Sequence, residues 1–143
     1  MKKILLAVDG SESCNKATNT TVELAEQLNA DVTILTVIEE HMSYDSYTQD
    51  DFENVKDKKK YHEEHGEIIV TECANTFNNP KIKIEKLTKK GSPAEVICQV
   101  AEENDFDLIV VADMGRNAVK KFLLGSTTEK VVRHATTSVL VVK

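Results

Sequence analysis

The sequence predicts an α/β fold of the Rossmann-like class: one open, doubly wound parallel sheet of five strands with four helices. Three observations carry that prediction. The apolar runs are short and continuous rather than alternating, as in strands buried on both faces. Stretches of helical periodicity separate them, which is the rhythm of successive βαβ units with right-handed crossovers. The chain has 143 residues, 41% hydrophobic and 29% charged, which suits one domain over 1–143 with a full core.

Ile4 to Val8 is the first strand. Ser11 or Ser13 can then cap a helix in which Ala17, Thr21, Leu24, Ala25 and Leu28 share one face. Asn29-Ala30-Asp31 ends that helix, and Val32 to Ile38 forms the second strand. Glu39 to Asp51 is polar, aperiodic and long for a connection, so a mobile surface loop is expected. Its acids, with Glu53 just beyond, read as a solvated loop in preference to a cation or partner site. A long helix is predicted from about Phe52 to Thr76, with Ile69, Cys73 and Phe77 as its apolar stripe and Gly66 weakening its middle. Asn78-Asn79-Pro80 breaks it.

Ile82, Ile84 and Leu87 make the third strand, and the charges between them put it in a less buried position than the first two. In Gly91-Ser92-Pro93-Ala94-Glu95, Ser92 can cap a helix, Pro93 fits its first position and Glu95 completes an S-x-x-E box. Asp107 to Ala112 is the fourth strand. A last helix carries Leu124, Val131, Val132 and Ala135 on one face, and Ser138 to Val142 is the fifth strand. That final strand is apolar and β-branched, and a bare edge of this kind is expected to pair with its copy in a homodimer.

Charge and cysteine content narrow the function classes. Eighteen Lys and Arg against 24 Asp and Glu give a net charge of -6, which repels a nucleic acid backbone. Cys14, Cys73 and Cys98 cannot all pair within one chain, and none lies in a C-x-x-C arrangement. Free, buried thiols in a reducing, cytoplasmic compartment are expected. The first apolar run is too short for a secretory leader, and no run approaches a membrane span.

In open parallel sheets ligands bind beyond the carboxyl ends of the strands, where the strand order reverses. Two such loops carry chemistry. Asp9-Gly10-Ser11-Glu12-Ser13 places an acid at a strand end before small residues that begin a helix. Ala112-Asp113-Met114-Gly115 is followed, after nine residues, by Gly125-Ser126-Thr127-Thr128 at another helix start. Glycines let a phosphate approach the backbone, hydroxyls donate to its oxygens, and a helix N-terminus supplies oriented N–H groups. Gly125 and Ser126 are equally readable as a plain helix start and its cap.

Other chemistries find little support. Neither G-x-x-x-x-G-K-[ST] nor G-x-G-x-x-G occurs. A phospho-acceptor receiver domain needs paired acids at the first strand and an Asp ending the third, yet Asp9 stands alone and Leu87-Thr88-Lys89 follows the third strand. His41, His62, His65 and His134 have no nucleophile motif beside them. His62 and His65 share a helix face without a third ligand, His134 suits a helix C-terminus, and Lys120 and Lys121 suit solvated positions.

The start Lys3 to Ser11, the segment Gly91-Ser92-Pro93-Ala94, the strand Asp107 to Val110 and the ending Val132 to Ala135 through Val139 to Val142 resemble the universal stress protein family over about the full length. Its ATP-binding branch carries G-x2-G-x9-G-[ST]. The second and third glycines fall on Gly115 and Gly125, followed by Ser126, while Ala112 stands where the first glycine belongs. The resemblance implies a stress-response regulator that binds ATP and acts through changes of shape or partner. Slow hydrolysis is compatible with it, and no catalytic residue is assigned. It would put Asp9 near the nucleotide and the backbone of Val37 at the adenine edge. Ala112, Asp113 and Gly115 would line the ribose and phosphates, with Gly125, Ser126 and Thr128 holding the phosphate tail. Asp113 beside a triphosphate calls for Mg²⁺ or a ribose hydroxyl to take up its carboxylate. A homodimer through the last strand is implied as well. The alternative is a nucleotide-free dimeric module acting by protein contacts.

Overall fold

The most continuous apolar run of the N-terminal half, around Ile4 to Val8, becomes the central strand of a five-stranded sheet in the computed structural model, which describes residues 1–39, 49–113 and 123–143. In chain order the elements are β1 (Lys3–Ala7), α1 (Ser13–Leu28), β2 (Asp31–Ile38), α2 (Gln49–Ala74), β3 (Ile84–Lys90), α3 (Pro93–Glu103), β4 (Leu108–Ala112), α4 (Ser126–His134) and β5 (Ser138–Val142). The strand order is β3-β2-β1-β4-β5, with every pairing parallel. The order therefore reverses between β1 and β4, as a doubly wound sheet requires.

Alternation along each strand divides the core into two layers. Ile4, Leu6, Val8, Val32, Ile34, Leu108, Val110 and Ala112 pack with Cys14, Ala17 and Ala25 of α1 and Val70 of α2. Leu5, Ala7, Leu35, Ile109 and Val111 face Ala94, Ile97, Val100 and Ala101 of α3 and Val131 of α4. Successive side chains of a strand point to opposite faces, so helices on both sides demand apolar residues at nearly every position, with Thr33 and Thr36 of β2 buried among them. This is why the runs are continuous.

Several expectations are corrected. Helix α1 begins at Ser13 with Glu12 at its cap, and neither serine is the capping residue. Within α1, Ala17, Thr21 and Ala25 are buried, whereas Leu28 is exposed beside the left-handed Asn29 that ends the helix. Helix α2 begins at Gln49, ahead of the expected Phe52, and ends at Ala74. Gly66 is a packing position: a Cβ there would meet Thr88 Cγ2 at 3.1 Å and Ile38 Cδ1 at 3.3 Å. The expected stripe of Ile69, Cys73 and Phe77 does pack on the core, around a fully buried Val70 that the stripe omits. Ile82 precedes β3, and Asp107 lies one residue before β4.

Ser92 does cap α3, with Pro93 following it, but its hydroxyl makes no capping hydrogen bond, so the box with Glu95 does not form. On α4 only Val131 is fully buried; Val132 is exposed, and Leu124 is exposed ahead of the helix. A step of one residue turns a helix by about 100°, which carries Val132 off the face that Val131 buries. The three cysteines are free as expected, but only Cys14 is buried; Cys73 and Cys98 are half-buried. Asp107 accepts the backbone N–H groups of Lys2 and Lys3 at 2.8 and 2.9 Å, which holds its carboxyl below the ordinary range and fixes the start of β1. No helix among the described residues is long and apolar enough to cross a membrane.

Candidate functional site

Extending the strand registers beyond their last pairs brings three expected residues into one row. Ala7 lies opposite Leu35 and Leu6 opposite Val110, so Asp9 falls level with Val37 on one side and with Asp113 on the other. Neighbouring strands are about 4.8 Å apart. Val37, Asp9 and Asp113 thus cross the carboxyl edge of β2, β1 and β4, where the strand order reverses.

Val37 has an open backbone. Val32 N–H donates to Lys83 and Gly91 N–H donates to Ile38, so the even residues of β2 serve β3. Val8 N–H donates to the carbonyl of Leu35, so the odd residues of β2 face β1. Strand β1 ends at Ala7, and its chain turns at Gly10, which has φ +80°. The N–H and C=O of Val37 therefore point into the space beyond β1, and neither has a backbone partner among the described residues. A donor and an acceptor lie side by side at the reversal.

The loop after β1 is a compact turn built on Asp9. Gly10 adopts φ +80°, a conformation that costs a glycine least. Asp9 Oδ1 accepts the Ser11 N–H at 2.8 Å and the Cys14 thiol at 3.1 Å. Ser11 Oγ lies 3.1 Å from Ser13 Oγ and 3.4 Å from Cys14 Sγ. Burial pushes the Cys14 thiol up to about 11, so it stays protonated and able to donate at neutral pH. Sequence reasoning read Cys14 only as a buried thiol. Its place in the first turn of α1, five residues after Asp9, is the signal that could have found it.

The other side of the site is the start of α4. Gly125 caps it with φ -56°, and its N–H donates to the Asp113 carbonyl at 2.7 Å. That bond draws the two ends of the connection after β4 together. Thr128 is buried, and its hydroxyl donates to the Ala112 carbonyl at 2.6 Å, tying the first turn of α4 to the end of β4. Ser126 is exposed at the first helical position, where N–H groups have no intrahelical partner. Asp113 is half-buried, with its N–H on the Val142 carbonyl.

Ala112 is not among the residues of positive φ, and its methyl is packed in the core layer under α1 with Val8 and Cys14. It does not obstruct the loop mouth. The structure thus gathers Asp9, Val37, Asp113, Gly125 and Ser126 around the reversal, with Ala112 and Thr128 buried behind them. Gly115 lies outside the described residues, as do His41, Lys120 and Lys121.

The candidates read as solvated or structural sit elsewhere. His65 stacks on Tyr61 at 6.0 Å between ring centroids, on α2. His134 is the last residue of α4, at the end away from the site. Among the described residues no group of three or more potential ligands could hold a metal ion.

The universal stress protein family model matches residues 1–143. A Staphylococcus aureus (strain USA300) protein assigned to the universal stress proteins is 36% identical over 144 residues, covering 99% of this chain and 84% of its own. The structure of the universal stress protein UspA from Lactobacillus plantarum superposes with a TM-score of 0.79 at 24% identity, covering 99% of this chain and 97% of the other. A universal stress protein family structure from Arabidopsis thaliana, solved with AMP bound, superposes with a TM-score of 0.67 at 23% identity, covering 100% and 92%.

Proposed function

Because the chain belongs to the universal stress protein family, we propose that it is a regulatory nucleotide-binding protein that takes ATP at the reversal between β1 and β4. The open N–H and C=O of Val37 carry this reading. Adenine offers an acceptor nitrogen beside a donor amino group on one edge, and a single backbone residue with both groups free matches it. Asp9, fixed by two donors to one oxygen, is placed for a ribose hydroxyl. Gly125 and Ser126 present the start of α4 to the phosphates. Thr128 acts from behind, holding that helix start on Ala112. The methyl of Ala112 is tolerated because it points into the core. Asp113 calls for Mg²⁺ to accompany the triphosphate. The Arabidopsis relative holding AMP lends support at the level of the fold.

The protein acts through changes of shape or partner on binding, and slow hydrolysis is compatible with this reading. Titration calorimetry with Mg-ATP tests the reading: the wild type is expected to bind one nucleotide per chain. Absence of binding by both the wild type and Ala112→Gly refutes it. Binding by Ala112→Gly alone favours the nucleotide-free module.

The active unit is a homodimer paired through β5. Val139, Leu140, Val141 and Val142 are all only half-buried, although each packs on a core layer. Leu123, Leu124 and Val132 add exposed apolar surface elsewhere on the chain. Asp113 N–H donates to the Val142 carbonyl, which assigns the even residues of β5 to β4 and turns the amides of Val139 and Val141 outward. Two such edges pair about a two-fold axis.

A further inference from the structure

The opposite edge of the sheet, β3, is built for a different occupant. From Lys81 to Lys90 the chain carries five lysines against one glutamate, within a protein of net charge -6. The ladder from β2 uses the odd positions of β3, because Val32 N–H bonds the Lys83 carbonyl and the Gly91 N–H bonds the Ile38 carbonyl. The N–H and C=O groups of Ile84, Lys86, Thr88 and Lys90 therefore point away from the sheet along its outer edge, with no backbone partner among the described residues.

The lysines on this edge are incompletely neutralised. Lys90 pairs with Glu63 and Lys83 with Glu85, the latter at 3.0 Å. Lys86 Nζ reaches only the neutral hydroxyl of Thr71 at 3.3 Å, and Lys89 has no carboxylate within ion-pair distance among the described residues. Side chains alternate, so Lys86 and Lys90 stand on the α2 face, where Lys86 meets Thr71 of α2, while Lys89 stands on the α3 face beside Leu87, which packs on that core layer. Two copies of this edge would set lysine against lysine, so self-pairing is disfavoured. An incoming acidic strand meets Lys86 on the α2 face or Lys89 on the α3 face, whichever face carries its carboxylates.

We propose that the outer edge of β3 docks an acidic, extended peptide segment of a partner protein, which adds to the sheet as a sixth strand. Backbone pairing gives the segment its register, and Lys86 and Lys89 select its charge. This surface is separate from the nucleotide reading and does not depend on it.

The test uses the full chain, ¹⁵N-labelled, with a capped heptapeptide alternating Glu and Val and a second alternating Lys and Val. The Glu peptide is expected to shift the amides of Ile84, Lys86, Thr88 and Lys90 and to slow their hydrogen exchange, leaving those of Glu85, Leu87 and Lys89 largely unchanged. The double variant Lys86→Glu, Lys89→Glu should weaken that binding at least about tenfold and transfer preference to the Lys peptide. Thr88→Pro removes one outward N–H without touching the β2 ladder, and should abolish binding while circular dichroism stays native. Equal response to both peptides, shifts that cluster away from β3, or no shift at millimolar peptide overturns the proposal. So does a response that inorganic polyphosphate reproduces without slowing the edge amides, which marks lysine charge alone.

Discussion

Thr128→Val removes one hydroxyl and leaves the shape of the side chain almost unchanged, so it isolates the bond between α4 and β4. Thr128 and Ala112 are both buried, and the hydroxyl donates to the Ala112 carbonyl at 2.6 Å. The variant leaves that carbonyl without its donor in a region water does not reach. Leaving a buried acceptor unsatisfied costs about 1–3 kcal/mol. The expected loss is about 1–2 kcal/mol, because valine restores the apolar contacts. With a urea slope of about 2 kcal/mol/M, the middle of the range for a small protein, the unfolding midpoint should fall by about 0.5–1 M at constant slope. Thr128→Ser keeps the hydroxyl and should lose less. Urea denaturation followed by circular dichroism reads both. A midpoint for Thr128→Val within about 0.1 M of the wild type, set against that slope, would show that the bond does not hold the helix start, and the positioning role given to Thr128 would go with it.

The remaining outcomes concern the site, the thiol and the edge. Gly125→Val should abolish Mg-ATP binding in calorimetry while leaving the unfolding midpoint close to native, since φ at Gly125 is -56° and admits a branched side chain; retained affinity would move the phosphates elsewhere. Cys14 contributes a pH dependence of defined sign: its folded pKa is raised from 9.0 to about 11 by burial, so the folded state holds the proton more tightly than the unfolded chain. Stability from this group is unaffected below pH 9 and falls as pH rises from 9 to about 11, by about 2–3 kcal/mol in total. Chemical denaturation across that range should show the wild type losing more than Cys14→Ser, and parallel curves would contradict the assignment. Val141→Pro removes an outward amide without breaking the β4 pairing, and Leu140→Lys charges the edge; each should convert a sedimenting dimer to monomer, and a wild type that sediments as a monomer at high micromolar concentration ends the dimer reading.

Much of this was legible in the sequence because a strand buried on both faces is apolar at nearly every position, with only threonines such as Thr33 and Thr36 interrupting β2. Ile4 to Val8, Val32 to Ile38 and Leu108 to Ala112 announce themselves as strands, and their alternation with helices determines the parallel sheet. Asn29 and Pro93 mark helix boundaries by local backbone preference alone. Asp9 and the Gly125-Ser126 pair stand out because strand-end loops in such a sheet are where ligands bind.

Tertiary structure decided what depends on neighbours distant in sequence. Gly66 reads as a weak helix position until Thr88 and Ile38 are seen pressing on it. Val132 reads as core until the orientation of α4 buries Val131 and turns Val132 to solvent. Thr128, a phosphate contact only by family resemblance, has a structural partner that the sequence hides: its hydroxyl donates to Ala112, sixteen residues earlier in the chain. Val37 is an ordinary β-branched strand residue by composition, and its free backbone pair exists only because β1 stops short beside it. Local propensity and periodicity act within a few residues, so they determine the elements. Register and packing bring remote residues together, and only they could bring the ends of β1, β2 and β4 to one edge of the sheet.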